Sequence, residues 1–292
     1  MQRVRSLLFV PGDSERKIEK ALACPADALI LDLEDAVAPE RRAVARSICA
    51  EALRSSPTRQ RLFVRINALD TADALPDLAA VVGAQPVGIM LPKCRSAADL
   101  LRLDHYLSAL EAREGSELGT IRVLPIVTET GESMFGLGSY GEGTPRLAGM
   151  LWGGEDLAAD IGAHGNRDAS GGYGFLYQLA RSRCLLAATA ARAVAVDAVY
   201  TDFRDLEGLR DEARIAALDG FTAKAAIHPD QAEVINEAFT PTREQTERAQ
   251  RIIDAFAAVP GAGVAALDGR MLDRPHLVMA RRILERAAAC ER

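Results

Sequence analysis

The chain has 292 residues, of which 49% are hydrophobic, and its formal net charge is −6 at pH 7. This apolar content and modest charge exclude a mainly disordered chain, and the acidic balance argues against wholesale nucleic-acid binding. No apolar run approaches the ~18 residues that span a membrane, and five scattered cysteines without a C-x-x-C pair indicate a reduced, cytoplasmic protein.

Short apolar runs rich in branched residues alternate with longer helical patterns along the chain. The runs are nearly continuous rather than alternating with polar residues, which is typical of parallel strands buried on both faces. Strands are predicted at 6–10, 28–32, 61–66, 87–91, 121–127, 147–152, 197–201 and 222–227. Helices are predicted near 14–23, 40–54, 72–82, 96–113, 130–138, 172–194 and 205–218. Such β-α units predict an α/β fold, a (β/α)8 TIM barrel, with a doubly wound open sheet as the alternative.

The chain continues beyond the last β-α unit with further helical patterns. Two capping boxes are predicted to begin helices there: Asp230-x-x-Glu233 and Thr242-x-x-Gln245. A strand-like run, an Asp-Gly turn and a last helix follow, at 264–267, 268–269 and about 274–290. We therefore predict a barrel domain over 1–240 and a C-terminal helical extension over 241–292, which we expect to pack on a neighbouring subunit.

Polar and ionisable residues follow every predicted strand. Catalytic groups of parallel barrels gather at the carboxyl ends of the strands, so these positions are the candidates for chemistry. In strand order they include Asp13, Glu34 with Asp35, Arg65 with Asn67, Lys93, Glu129, Asp156, Asp202 and His228. Each one alone is readily explained as an ordinary turn or cap residue, but the joint pattern points to a site.

Glu129 and Asp156 follow consecutive predicted strands and should lie side by side at the barrel mouth. Two neighbouring carboxylates repel each other unless one is protonated or a cation bridges them. A site of carboxylates, waters and substrate oxygens suits Mg2+, and the sequence has no H-x-x-H or cysteine cluster that would suggest zinc. Arg65 would face this site as a fixed cation.

Two other patterns suggest different chemistry. Gly136-x-Gly138-x-x-Gly141 spells a dinucleotide-binding pattern, but it does not lie directly between a strand and a helix, so we interpret it as a loop. Lys93 could be a solvated loop lysine, or the nucleophile of a Schiff-base aldolase if burial lowered its pKa. A carboxylate pair with a metal makes a lysine nucleophile unnecessary.

Eight segments of the chain together resemble a known enzyme family. They are 5–12 (RSLLFVPG), 31–37 (LDLEDAV), 64–67 (VRIN), 91–93 (LPK), 124–130 (LPIVTET), 152–162 (WGGEDLAADIG), 202–208 (DFRDLEG) and 226–231 (AIHPDQ). In order and number they are similar to the citrate lyase β-subunit and malyl-CoA lyase family of the HpcH/HpaI aldolase superfamily. The resemblance runs nearly end to end and implies a (β/α)8 barrel that commonly assembles as a trimer or hexamer.

The resemblance also implies roles for individual residues. Glu129 and Asp156 match the two Mg2+ ligands, which would also accept Mn2+. Arg65 matches the residue that holds the substrate carbonyl oxygen. The first loop, with Arg16 and Lys20, resembles the region that binds the phosphates of CoA.

A late segment, 271–275 (MLDRP), resembles a motif whose aspartate reaches the site of a neighbouring subunit. That aspartate is Asp273 here, and it is the candidate acid/base for the enolate carbon. We further expect three residues to order metal-bound waters from behind the ligands: Glu34, Asp35 and Asp202.

These matches imply a Mg2+-dependent carbon–carbon lyase that cleaves or forms a 3-hydroxy-acyl-CoA thioester such as malyl-CoA or citramalyl-CoA. Its products in the cleavage direction would be a 2-oxo acid, whose carboxylate would lie near Gly153 and Gly154, and an acyl-CoA. Three alternatives remain: a citrate lyase β-subunit that uses an acyl carrier protein, a metal-dependent aldolase acting on a free 2-oxo acid, and a non-catalytic barrel that has retained the site. Water reaching the bound thioester would add a thioesterase side activity.

Overall fold

The computed structural model describes residues 4–56, 61–169, 171–259 and 261–290. Eight parallel strands form one sheet: β1 (Ser6–Pro11), β2 (Ala28–Asp32), β3 (Leu62–Arg65), β4 (Gly88–Leu91), β5 (Arg122–Pro125), β6 (Gly149–Leu151), β7 (Val194–Asp197) and β8 (Ala223–Ala226). Neighbouring strands follow the order β5-β4-β3-β2-β1-β8-β7-β6. Isolated parallel bridges, Val123 to Leu147 and Ile126 to Leu151, join the two ends of this sheet and nearly close the predicted barrel.

Helices follow the strands and surround the sheet. They are α1 (Glu15–Leu22), α2 (Arg42–Ser55), α3 (Ala74–Val81), α4 (Ala97–Arg113), α5 (Gly131–Gly136), α6 (Glu155–Asp160), α7 (Phe175–Ala190), α8 (Leu206–Asp219) and α9 (Gln231–Phe239). Short 3-10 segments occur at Pro39–Arg41, Val82–Ala84 and Leu137–Glu142. No helix in the described ranges is both long and apolar enough to cross a membrane.

Successive residues of each strand are buried on opposite faces of the sheet. In β2, Ile30 belongs to a cluster formed by strand and strand-end residues that fills the barrel interior, whereas Leu29 and Leu31 belong to the layer between strands and helices. Both faces of the strand are therefore buried away from water. This explains why the strands read as continuous apolar runs in the sequence.

The prediction for the seventh strand was wrong, because the strand begins three residues earlier and ends four residues earlier than predicted. It placed the strand at 197–201, whereas β7 spans Val194–Asp197. The apolar run here is longer than one strand, so the sequence alone does not define its register. Arg192 takes a left-handed conformation (φ 55°) just after α7, which ends the helix earlier than predicted. The pairings of Val194 with Gly149 and of Val196 with Ala223 then set the register.

The C-terminal segment forms a small unit of its own. It contains α10 (Arg243–Ala257), an antiparallel hairpin of β9 (Val264–Leu267) and β10 (Arg270–Asp273), and α11 (Arg274–Cys290). Phe256, Ala265 and Leu272 form its separate apolar cluster. Against the barrel, Arg286 donates a 3.0 Å hydrogen bond to the Thr222 carbonyl. Packing on a neighbouring subunit stays a prediction.

The two predicted capping boxes differ in outcome. Thr242 and Gln245 form the reciprocal bonds of a capping box at the start of α10, as predicted. Asp230 makes no side-chain cap bond at the start of α9, so that prediction was wrong. The buried side chain of Gln231 instead contacts the segment after β8, where its Oε1 accepts a 2.8 Å hydrogen bond from the Ile227 amide.

A buried ion cluster supports the barrel where β5 meets β6. Arg146 precedes β6, and its guanidinium holds both oxygens of Glu111 from α4, at 2.8 and 2.7 Å, and also contacts Asp104. Burial raises the pKa of Glu111, but hydrogen bonds from Arg146 and from the amides of Ile121 and Gly119 outweigh burial and lower it to about 2. The ionised carboxylate therefore stabilises the fold.

Replacing Glu111 by Gln should lower the free energy of unfolding at pH 7 by roughly 3 kcal/mol, because a buried ion pair loses one partner. The pKa of Glu111 is depressed from its ordinary value of 4.5, so this contribution is lost as the pH falls from about 4.5 towards 2. Urea unfolding should therefore show the difference between wild type and variant shrinking over that range. The exposed Glu51→Gln control should be nearly neutral throughout. A constant difference at all pH values would contradict the assignment.

Candidate active site

The charged residues of the site come from the carboxyl ends of five neighbouring strand–loop units. Asp32 and Arg65 are the last residues of β2 and β3. Lys93 and Glu129 lie shortly after β4 and β5, and Asp156 lies in the first turn of α6, after β6. Parallel strands of a barrel all end at the same rim, so the chain brings these distant residues to one mouth.

Arg65 is a buried cation that is locked in place by carboxylates. Its Nε and Nη2 donate to the two oxygens of Asp32 at 2.7 and 2.6 Å, and its Nη1 lies 3.1 Å from Glu34 and 3.6 Å from Asp35. Burial lowers the pKa of Arg65, but the bonds to Asp32 and the neighbouring charges raise it well above its ordinary value. The guanidinium stays charged, and its position is set before any ligand arrives.

Asp32, the last residue of the predicted second strand, belongs to the site although the sequence pattern assigned it no role. Besides holding Arg65, its oxygens accept hydrogen bonds from the amides of Glu34 and Ala36. It therefore orients both the arginine and the loop that carries Glu34. The available signal was its place as a charged residue at the end of an otherwise apolar strand, where burial without a partner would be costly.

Lys93 lies between the carboxylates of this loop and the end of β6. Its Nζ is 2.6 Å from Glu34 Oε1, 3.1 Å from Asp156 Oδ1 and 3.9 Å from Asp35 Oδ1. Burial lowers its pKa, but Glu34 and the charges of Asp156 and Glu129 outweigh burial and raise it. A protonated amine is a poor nucleophile, so the geometry argues against the Schiff-base alternative.

The backbone amide of Lys93 also contacts the site, separately from its side chain. Its φ of 49° is left-handed, which is uncommon for a residue with a side chain. In this conformation its amide donates a hydrogen bond to Glu129 Oε2. The turn after β4 therefore positions the carboxylate that follows β5.

Glu129 and Asp156 form the electrostatic centre of the mouth. Glu129 is only 3% exposed. Burial and the nearby charge of Asp156 raise its pKa to about 8, even though the Lys93 amide partly opposes this. The pair repels as the sequence predicted, and a cation placed between the two would relieve the repulsion.

The residues present fit a hard divalent cation held by few protein ligands. Glu34 Oε2 is buried and accepts no hydrogen bond of good geometry among the described atoms, although Arg65 Nη1 lies 3.1 Å away, and the charge of Glu34 also acts on Glu129. The described ranges contain no group of three or more His, Cys, Asp or Glu residues preformed as a metal cage. Mg2+ commonly binds through one or two carboxylates and completes its shell with waters and substrate oxygens.

Gly153 allows the end of β6 to approach this centre. A Cβ at this position would lie 2.8 Å from Cγ of Glu129, closer than van der Waals contact allows. The Gly153 amide and carbonyl both bond the Thr128 hydroxyl, at 3.0 and 3.2 Å. The preceding Trp152 is buried and donates to Asp197 at 2.7 Å. These contacts give a packing reason for the glycine, whereas the expected approach of Gly153 and Gly154 to a ligand carboxylate stays a prediction.

The remaining predicted residues lie further from the carboxylate pair or in the extension. Arg16 and Lys20 are one turn apart and exposed on α1, just beyond the end of β1. Asp202 is exposed in the loop after β7 and accepts a 3.1 Å hydrogen bond from the Arg204 amide. Asp273 ends β10 and contacts His276. The roles of these four residues towards ligands stay predictions.

The family models and similar curated proteins assign the chain to the same family. A family model described as HpcH/HpaI aldolase/citrate lyase matches residues 5–229, and one described as a C-C bond lyase of the TIM-barrel fold matches residues 179–290. The chain is 39% identical to a Mycobacterium tuberculosis citrate lyase subunit beta-like protein, over 96% of this chain and 94% of that protein. It is 38% identical to a (3S)-malyl-CoA thioesterase of Cereibacter sphaeroides, over 98% and 95% of the two chains.

A solved structure is similar over nearly the whole length. It is the protein CitE from Mycobacterium tuberculosis in complex with magnesium, acetoacetate and coenzyme A. The TM-score is 0.83 at 37% identity, and the match covers 99% of this chain and 100% of that one.

Replacing Gly153 by Ala should lower the free energy of unfolding by about 1–3 kcal/mol, because the added methyl group must displace Glu129 or the end of β6. Thermal or urea unfolding measures the change. The matched control is Gly138→Ala, because that position has open space around an added Cβ, and it should change stability by less than about 0.5 kcal/mol. Equal effects at both positions would show that the close approach at Gly153 is not the cause.

Proposed function

Because the chain belongs to the HpcH/HpaI aldolase/citrate lyase family, we propose that its barrel mouth cleaves or forms the carbon–carbon bond of a 3-hydroxy-acyl-CoA thioester, such as malyl-CoA or citramalyl-CoA. The observation that carries this proposal is the repulsion between the buried Glu129 and the partly exposed Asp156, beside the immobilised cation Arg65. The two matching family models are described as an aldolase/citrate lyase and a C-C bond lyase, and this arrangement supplies the charges that such a cleavage requires.

Glu129 and Asp156 would hold Mg2+, or Mn2+ in its place. When bound, the metal supplies Lewis-acid polarisation of the hydroxyl or keto oxygen of the substrate and orients the adjacent carboxylate. The similar M. tuberculosis structure with magnesium, acetoacetate and coenzyme A supports this choice of metal and ligand. Glu34, Asp35 and Asp202 are proposed to order waters around it, and the first two already lie within the charged cluster.

Arg65 would stabilise the negative charge that develops on the thioester oxygen. In the cleavage direction the substrate hydroxyl would give its proton to water at the mouth, the bond between the α- and β-carbons would break, and the electron pair of that bond would pass to the thioester as an enolate. A prepositioned cation needs no reorganisation at that moment, and donors of this kind contribute ~3–4 kcal/mol in comparable sites. Asp32 and Glu34 hold the guanidinium ready for this task.

Two further regions would bind the rest of the substrate. Arg16 is exposed in the first turn of α1 and Lys20 in its last turn, and two cations about one helical turn apart suit the phosphates of CoA. The backbone at Gly153 and Gly154 is proposed to approach the carboxylate of the 2-oxo acid.

The C-terminal extension would complete the site of a neighbouring subunit in a homotrimer or hexamer. It has its own apolar cluster, and Met271 and Met279 are exposed on it. Asp273, from the same unit, would protonate the enolate carbon or take a proton from it in the reverse direction. The cysteines that the structure describes are all free, which supports a reducing cytoplasmic location.

A second function is favoured by the relatives. The Cereibacter relative is named a (3S)-malyl-CoA thioesterase, and water entering the same mouth would hydrolyse the thioester of a bound substrate. The relative named a citrate lyase subunit beta-like protein supports the alternative of a citrate lyase β-subunit, for which the family resemblance implies that an acyl carrier protein delivers the acyl group. Both alternatives use the same metal and arginine, so they differ in the acyl carrier and in the bond that breaks.

The variants Glu129→Gln and Asp156→Asn should each lower Mg2+-dependent cleavage by at least about 100-fold, because a neutral amide is a poor ligand for a hard cation. The assay is release of 2-oxo acid from malyl-, methylmalyl-, citramalyl- and citryl-CoA, with free thiol measured in parallel to detect hydrolysis. The exposed Glu207→Gln variant is the matched control and should retain full activity. Retained activity in either site variant would overturn the metal assignment.

Asp273→Asn should lower kcat by about 100-fold or more while changing KM little, because it removes a proton-transfer group rather than a binding group. Co-expression of Asp273→Asn with Glu129→Gln should restore part of the activity if Asp273 acts on a neighbouring subunit, because mixed oligomers then contain some sites with both groups intact. Each variant alone is the control. A mixture no more active than its components would contradict action across subunits.

A further inference from the structure

Lys93 places a built-in positive charge on a proposed metal ligand. Its Nζ lies 3.1 Å from Asp156 Oδ1 and 2.6 Å from Glu34 Oε1. The lysine is therefore bonded to one carboxylate of the metal pair and anchored by a carboxylate outside it.

The charge balance of the mouth explains why the ammonium of Lys93 lies between Glu34 and Asp156. Asp32 is satisfied by the bidentate contact with Arg65. The carboxylates of Glu34, Asp35, Glu129 and Asp156 remain. Among the residues that the structure describes, Nη1 of Arg65 and the ammonium of Lys93 supply the cationic contacts to Glu34, Asp35 and Asp156. Without the lysine, the cluster would carry a larger uncompensated negative charge when the metal is absent.

The same ammonium opposes a metal at this position. A divalent cation coordinated by Asp156 would repel the Lys93 ammonium that contacts the same carboxylate. The metal and the ammonium therefore compete for the oxygens of Asp156. Asp35 offers the ammonium another partner, since its Oδ1 is 3.9 Å away and its side chain is 56% exposed. The lysine can thus move towards Glu34 and Asp35 when Asp156 is taken.

We propose that Lys93 is an internal competitor of the divalent metal for Asp156, and that it sets the metal affinity of the site while holding the metal-free mouth together. This inference rests on the proposed function, because it takes Glu129 and Asp156 as the metal ligands. It assigns the side chain of Lys93 a positioning role that is separate from the bond between its backbone amide and Glu129.

The separation between backbone and side chain makes the proposal testable by substitution. Lys93→Met keeps the amide and much of the side-chain length but removes the charge. It should lower the Kd for Mn2+, used as a probe in the absence of substrate, by at least about tenfold. Binding is followed by the loss of the free-Mn2+ electron paramagnetic resonance signal.

Thermal unfolding gives a second readout. The metal-free Lys93→Met protein should melt below the metal-free wild type, and saturating Mg2+ should raise its Tm by more than it raises that of wild type. Lys93→Arg keeps the charge and should stay within about threefold of the wild-type Kd. Lys17→Met removes an exposed lysine on α1 and should change neither quantity.

The outcomes separate this inference from the function on which it rests. Lys93→Gln serves as a second uncharged variant if Lys93→Met does not fold, and the same decrease in Kd is expected. If the folded, uncharged variant has an unchanged or higher Kd while Glu129→Gln abolishes Mn2+ binding, the competition by Lys93 is overturned and the metal site stands. No Mn2+ binding by the wild-type protein would overturn both the inference and the metal site.

Discussion

The free-energy cost of keeping the Glu129 carboxylate out of water is the constraint on which the barrel mouth depends. Burial and the nearby charge of Asp156 raise its pKa to about 8. A carboxylate in such a place is neutralised by a proton or by a cation. Arg65 and Lys93 supply positive charge nearby, but each is held mainly by other acids. A further positive charge near Glu129 and Asp156 would therefore still stabilise the mouth.

A deeper ion network holds the frame around this centre. Asp197, at the end of β7, is buried and accepts bonds from Lys224 at 2.7 Å and from Arg181 at 3.0 Å. Its third donor is Trp152, which immediately precedes the glycine that makes room for Glu129. Because a buried charge pair is costly to break from one side, this network fixes the end of β6. The position of the mouth thus depends also on this buried network around Asp197.

Lys93 shows how one residue can serve a site through both its backbone and its side chain. Its left-handed backbone (φ 49°) costs about 1 kcal/mol or more relative to an ordinary conformation. That cost is offset by the hydrogen bond to Glu129 and by the ion pairs with Glu34 and Asp156. A strained backbone conformation persists where several surrounding contacts hold the residue in it. Here those contacts come from the charged groups of the proposed active site.

The amino-acid sequence by itself determined the barrel and most of its strands, and it placed Glu129 and Asp156 after consecutive strands, close enough for the charge of Asp156 to act on Glu129. Continuous apolar runs and the polar residues that follow them are local patterns, and parallel strands must end at one rim. The apolar run around β7 was longer than a strand, so its register depended on pairing with β6 and β8. Only the tertiary structure decided that Asp32 immobilises Arg65 and that Lys93 lies on Asp156. Those contacts join residues far apart in the chain, and their distances follow from strand register and loop conformation, which leave no periodic trace in the sequence.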